Sequence, residues 1–147
     1  MSVAAMSVAA MSAVTGSETI TAHAAVDRFL AAIESATISG CDAWSADATL
    51  DATVPNWRFR VSGVDAIRSQ YATWFAYPSS FEQLRRLTTH HGEVVEYTLT
   101  WTQDGVPHAG HHAHILTIRD DLIVADTVLC GGRWPAALLA EMEASDV

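Results

Sequence analysis

An α+β fold is what the sequence predicts, with helices laid over one face of a curved, mixed and mostly antiparallel sheet. Helical apolar spacing is confined largely to the first half of the chain, two-residue alternation dominates the second half, and turn residues separate the segments. From Thr19 to about Ala36, Ile20, Ala24, Phe29, Leu30 and Ile33 recur at helical spacing, so this stretch is an amphipathic first helix ended by Ser39-Gly40. Cys41 to Asp47 is a short second helix or turn carrying Trp44. Ala48 to Val54 alternates as a strand up to Pro55-Asn56, and Trp57 to Val61 is a second strand with Trp57, Phe59 and Val61 facing inward.

Gly63 opens a third helix to about Ala76, burying Val64, Ile67, Tyr71, Trp74 and Phe75, and Pro78 stops it. Strands follow at Phe81–Thr88, Glu93–Thr102, Val106–Ile118 and Leu122–Leu129. His90-His91-Gly92, Gln103-Asp104-Gly105 and Arg119-Asp120-Asp121 make the turns between them. Gly131-Gly132 breaks the last strand, and Pro135 stands at the first position of a short closing helix with Leu138, Leu139 and Met142. Residues 1–17 form a flexible tail and 18–147 one domain, since 147 residues suffice for a single core.

The charge distribution excludes several classes of partner. The chain carries a formal charge of −9, and its eight basic residues are all Arg, scattered from Arg28 to Arg133, so the concentrated positive footprint of a nucleic-acid binder is missing. Half the residues are hydrophobic, yet no apolar run is long enough to span a membrane. The Met-Ser-Val-Ala-Ala repeat at the start has neither the basic region nor the apolar stretch of a secretory signal. Cys41 and Cys130 lack Cys-x-x-Cys spacing and behave as small hydrophobes, in keeping with a reducing, cytoplasmic setting.

Ser45-Ala-Asp-Ala-Thr-Leu-Asp51, Gly63-Val-Asp-Ala-Ile67 and Asp121-Leu-Ile-Val-Ala-Asp-Thr-Val128, in this element order, resemble the SnoaL-like branch of the NTF2-like superfamily over residues 19–134. The resemblance implies an α+β barrel or cone, about three helices in its N-terminal part, and a deep apolar pocket between sheet and helices. Relatives include ketosteroid isomerases, polyketide cyclases, scytalone dehydratases and limonene-epoxide hydrolases, beside members without chemistry, so the fold leaves the reaction open. Aligning the last hairpin with the isomerases puts His114 where they carry an oxyanion-stabilising aspartate. Asp126 resembles the last-strand carboxylate of the cyclase and epoxide-hydrolase branches. The isomerase general base falls nearest Ala52, with Asp51 one residue away on the opposite face, which argues against a plain ketosteroid isomerase.

The residues themselves point to the same hairpin. Six of seven histidines lie between positions 90 and 114, and strand parity groups His112, His114, Leu116 and Ile118 on one face, His111, Ala113, Ile115 and Thr117 on the other. Parity does not say which face meets the pocket. On the next strand Leu122, Val124, Asp126, Val128 and Cys130 share a face whose one carboxylate requires a partner, and a turn at Asp120-Asp121 brings it near Leu116 or His114. Such a pair can fix the imidazole tautomer and move a proton near neutral pH, with His114 as base or acid and Asp126 as its orienter.

His112, His114 and Asp126 could alternatively hold a divalent metal; otherwise no cofactor is expected. Tyr71, Trp74, Trp57 and Phe59 are candidates for the pocket lining, with Tyr71 the best polar donor, and the resemblance adds His23, on the first helix where relatives point a Tyr or Asp into the pocket, as a possible third acid–base group. Two functions remain open. One is a cofactor-independent lyase, isomerase or hydrolase acting by proton transfer on an uncharged or weakly polar, hydrophobic small molecule. The other is a ligand-binding or structural protein, a homodimer through the outer sheet face, whose Asp126 and histidine merely satisfy each other.

Overall fold

The computed structural model describes residues 23–146; the expected tail and the first turns of the expected first helix, residues 1–22, lie outside them. Helix α1 runs Ala24–Ser35, a 3₁₀ turn covers Ile38–Gly40, and strands β1 (Trp44–Val54) and β2 (Trp57–Ser62) precede helix α2 (Val64–Trp74). Strands β3 (Ser79–Thr88), β4 (Gly92–Gln103), β5 (Val106–Arg119) and β6 (Leu122–Pro135) follow, and helix α3 (Ala136–Ala144) closes the chain. The sheet has the order β2-β1-β6-β5-β4-β3. Only the β1–β6 pair is parallel.

The sheet is mixed and mostly antiparallel, as expected, but it is not a closed barrel: β2 and β3 are free edges. Hairpin turns set the register. Pro55-Asn56 links Val54 to Trp57 with Asn56 at φ 67, the left-handed second position that follows proline in a type II turn. Asp104-Gly105 and Asp120-Asp121 close the other tight hairpins with both residues left-handed, the backbone that matches strand twist. Asp121 does a second job. Helix α1 has no side-chain cap of its own at His23, and the Asp121 carboxylate accepts the Ala25 N–H at 3.0 Å instead.

Several expectations about local structure require correction. Trp44 is not helical; it begins β1, and the helical turn lies earlier, at Ile38–Gly40. Trp57 is 69% exposed, because it stands beside the turn on an edge strand, whereas Phe59 and Val61 pack against the core. Gly131-Gly132 does not end the last strand. It bulges it: His111 pairs with Gly132 and His112 with Cys130, leaving Gly131 extra, and β6 continues to Pro135. Pro135 consequently caps α3 rather than opening it, and α3 buries none of its residues, Leu138 and Met142 included.

A second bulge changes which side chains face inward. Thr117 pairs with Ala125 and Ile118 with Ile123, so Val124 is the extra residue and Ile123, not Leu122 or Val124, enters the core beside Asp126 and Val128. Gly92, expected as part of a turn, starts β4 under a steric constraint: a Cβ there would stand 2.1 Å from the Leu116 carbonyl oxygen. The core lies between the helices and the inner face of β1, β4, β5 and β6, centred on Phe29, Ile33, Leu50, Ile67, Tyr71, Tyr97 and Leu116. Phe29→Ala removes a fully buried ring and should lower unfolding free energy by about 3–5 kcal/mol. In the same urea titration Trp57→Ala should change it by no more than about 0.5 kcal/mol; comparable losses would contradict the outward placement of Trp57.

Candidate functional site

Register brings four polar side chains from four elements into one line beneath the helices. His114 pairs with Val128 and Leu116 with Asp126, so His114 and Asp126 are diagonal neighbours on adjacent strands, both facing inward. His114 Nδ1 lies 3.1 Å from Asp126 Oδ1, and both side chains are fully buried. Tyr71 from α2 donates its hydroxyl to Asp126 Oδ2 at 2.6 Å, and the Tyr97 hydroxyl from β4 lies 2.8 Å from His114 Nε2. With an ionised Asp126 accepting at Oδ1, the proton sits on Nδ1, and Nε2 accepts from Tyr97. The line is therefore Tyr97, His114, Asp126, Tyr71.

Aromatic rings wall this line off. Phe29 meets His114 edge-on at 5.2 Å and lies 5.1 Å from Trp44, while Tyr97 stacks on the His114 ring at 5.6 Å. Burial, and next the Asp126 charge, hold both tyrosine hydroxyls well above the usual phenol range, so they remain donors.

His112 contrasts sharply with His114, two residues away. It is fully buried, yet neither ring nitrogen has a hydrogen-bond partner. Its ring stacks on Trp74 at 5.8 Å and 17°, with Phe75 and Tyr97 at its edges. Burial first, then the nearby His114, Arg133 and His111, push its pKa well below the ordinary imidazole value and keep it neutral. Beyond Trp74 opens a cleft of about 250 Å³ lined by Val54, Pro55, Trp74, Cys130, Gly132 and Arg133.

The remaining candidates are placed as follows. Trp74 lines this cleft, and Phe59 packs edge-on against Trp74 at 6.3 Å. Tyr71 belongs to the buried line, not to the cleft wall, and Trp57 lies outside on the surface. His23 is held away from both: its backbone N–H and its Nδ1 lie 3.0 and 2.7 Å from Glu93 Oε2. Burial alone would raise the Glu93 pKa, but bonds from Arg86 and His23 outweigh it and hold the carboxyl below its usual range. Asp51 faces outward onto Arg58, and Ala52 occupies the inward position. Among the described residues no three His, Cys, Asp or Glu side chains converge as a metal site. Of the three residues considered for a metal, both His114 nitrogens lie within hydrogen-bond distance of Tyr97 and Asp126, while both His112 nitrogens are without a partner.

Sequence reasoning missed Tyr97 as the partner of His114, although its inward parity on β4, opposite His112, was available once the register was known. Arg133 was missed because it follows the Gly131 bulge, which no alternation pattern anticipates, whereas Cys130 precedes the bulge and keeps the face it shares with Asp126 and Val128.

The fold is that of known structures. An NTF2-like protein from Anabaena variabilis is 14% identical, with 75% of this chain and 86% of that one covered at a TM-score of 0.63. A protein with a ketosteroid isomerase-like fold from Catenulispora acidiphila, in complex with trimethylamine, is 19% identical, covers 71% and 82%, and has a TM-score of 0.51. A phenazine biosynthesis-related protein from Pseudomonas aeruginosa is 12% identical, covers 81% and 82%, and has a TM-score of 0.52. No family model and no curated protein matches the sequence. The chain therefore has the NTF2-like fold, an open α+β cone whose concave face carries the buried line. Among the described residues no helix is long and apolar enough to cross a membrane.

The environment of His112 fixes a pH dependence. The folded state holds this imidazole neutral while the unfolded chain protonates it near the ordinary imidazole value of 6.5, so its contribution to stability is present above that pH and is lost as pH falls below it. At the other end, the two raised phenols oppose deprotonation, so stability should decline above the ordinary phenol value of 10.0. Urea unfolding across pH should show both limbs, and His112→Phe should flatten the acid limb between pH 6.5 and 5. An imidazole NMR signal of His112 titrating near 6.5 would contradict this environment.

Proposed function

We propose that the protein is an enzyme that moves a proton on a hydrophobic small molecule, with His114, Asp126 and His112 as its working groups. The observation that carries this reading is the hydrogen-bonded line Tyr97, His114, Asp126, Tyr71, sealed in aromatic walls beside a cleft. Asp126 holds the proton on Nδ1 and makes Nε2 the basic end of His114. Tyr97 meets that nitrogen, so a proton taken from a ligand by the phenol oxygen is matched by the phenol proton passing to His114. The phenol never has to persist as phenolate, which its raised pKa disfavours. His112 is neutral with both nitrogens free, and serves to hold a polar atom of the ligand. Isomerisation, dehydration, cyclisation and epoxide opening all use this proton handling and need no organic cofactor.

One observation favours the alternative of a ligand-binding protein: both His114 nitrogens are already engaged and the pair is closed to solvent, as in a core pair that exists to satisfy a buried carboxylate. The two readings separate by exchange. Apolar ketones incubated with the protein in D₂O should lose α-protons, followed by NMR, and His114→Gln or Tyr97→Phe should slow this by about 10²–10⁴-fold, the range of general acid–base catalysis. A wild-type protein that binds the ketones yet exchanges no proton supports the binding reading.

We also propose a homodimer through the outer sheet face. Ile115 and Leu129 are 49% and 47% exposed there, and Leu129 pairs with Ala113 across the β5–β6 ladder, which gives an apolar patch. Sedimentation should show a dimer that Ile115→Glu converts to monomer; a monomeric wild type would refute it.

A further inference from the structure

Six of the eight arginines stand in ion pairs: Arg28, Arg58, Arg60, Arg68, Arg85 and Arg86 each lie within reach of an aspartate or glutamate. Arg133 does not. Among the described residues no carboxylate lies within ion-pair distance of it, in a chain with a formal charge of −9. Its guanidinium is nonetheless held in place. It sits 4.8 Å over the Trp101 ring, and Nη2 donates to the Trp74 carbonyl oxygen. Its stem crosses β5 at Gly110, where a Cβ would stand 3.3 Å from Arg133 Cγ, closer than nearly all side chains approach.

This fixed cation lines the same cleft as Trp74, Cys130, Pro55 and Val54, and His112 lies directly behind Trp74, with both nitrogens unpartnered. Cys130 is the cross-strand neighbour of His112, so the cleft and the unpaired imidazole are one strand apart. The Arg133 side chain is open to solvent, and one backbone carbonyl and one aromatic face use little of its five-donor fork, which leaves donors free for an anion at the mouth of the cleft.

We propose that the ligand is a carboxylic acid with a flat apolar body: its carboxylate pairs with Arg133, its body lies along Trp74, and its far end approaches His112. The inference rests on the reading of this cavity as the ligand site and differs from the uncharged or weakly polar ligand expected from the sequence. The carboxylate matches the planar fork of arginine in two parallel hydrogen bonds. One guanidinium balances one negative charge, and among the described residues no other cation lines the cleft, which favours a monocarboxylate over a phosphate ester. A cleft of about 250 Å³ is small, at the lower edge of small-molecule sites, so a one- or two-ring acid is the size that fits. The Trp74 ring covers His112, so contact with that imidazole requires Trp74 to turn aside.

The test uses 2-naphthoate and 2-naphthamide, which share one body and differ in charge, titrated into the full-length ¹⁵N-labelled protein while the tryptophan indole N–H signals are followed. Naphthoate should bind about 10- to 100-fold more tightly than the amide, the value of hydrogen bonds to a charged group, and added salt should narrow the gap. Arg133→Met should bring the acid-to-amide affinity ratio close to one, and Arg133→Lys should restore part of it. Should Arg133→Met fail to fold, the acid-to-amide ratio of the wild type and its salt dependence decide the matter alone. Equal binding of acid and amide by the wild type overturns the carboxylate inference while leaving the cavity as a ligand site. Binding of neither overturns both.

Discussion

Asp126 is the constraint around which the rest is arranged. A carboxylate with 1% exposure on the central strand β6 loses its hydration, a penalty of several kcal/mol unless charged or strongly polar donors replace the water. Two do so here, one on each oxygen: the Tyr71 hydroxyl from α2 and the His114 ring from β5. Helix α2 is consequently fixed over the sheet in rotation and height, because Tyr71 must reach a single oxygen at 2.6 Å. His114 passes the constraint on to Tyr97 and β4. Hydrophobic packing of Phe29, Trp44, Ile67 and Phe75 supplies most of the driving force, but it is not directional. The polar line supplies the direction.

The contrast between His112 and His114 follows from the same geometry. Both point inward from β5, yet Asp126 is within reach of only one of them, since Cys130 and not a carboxylate lies across from His112. His114 is thereby absorbed into a satisfied network. His112 retains two unused nitrogens against an aromatic wall, which leaves a neutral imidazole with unspent hydrogen-bonding capacity beside the cleft. In a core built for stability alone an apolar side chain would fill that position more favourably.

Away from the cone's interior, ionic contacts set the position of α1. Arg86 bridges Glu93 and Asp27, His23 adds to Glu93, and Asp121, 96 residues along the chain, caps the helix at Ala25. These links tie the start of α1 to β3, β4 and the β5–β6 turn. They explain why His23, which the resemblance suggested for the pocket, is instead spent on a buried carboxylate. Its residue type suited acid–base chemistry, but its position at the helix start did not reach the cavity.

Residue type and period were enough to determine the α+β class, the turns around Asp104-Gly105 and Asp120-Asp121, the grouping of His112 with His114 on one strand face, and the placing of Asp126 near Leu116 or His114, because each depends on contacts local to one strand or one hairpin; that this face is the inward one was decided by packing. The mixed strand order, with β1 running parallel to β6, lies beyond such reasoning, as do the bulges at Val124 and Gly131 that reset parity along β6. Trp57 shows the limit plainly: its alternation with Phe59 and Val61 was real, but whether a strand face is covered depends on what packs against it, and at an edge beside a turn nothing covers Trp57. Tyr71 and Tyr97 became partners of the dyad, and Arg133 an unpaired cation beside the cleft, only when helix α2 and strands β4 to β6 closed together. Sequence alone determined which groups were available for chemistry; long-range packing decided which of them meet, because a hydrogen bond requires a few tenths of an ångström that periodicity cannot specify.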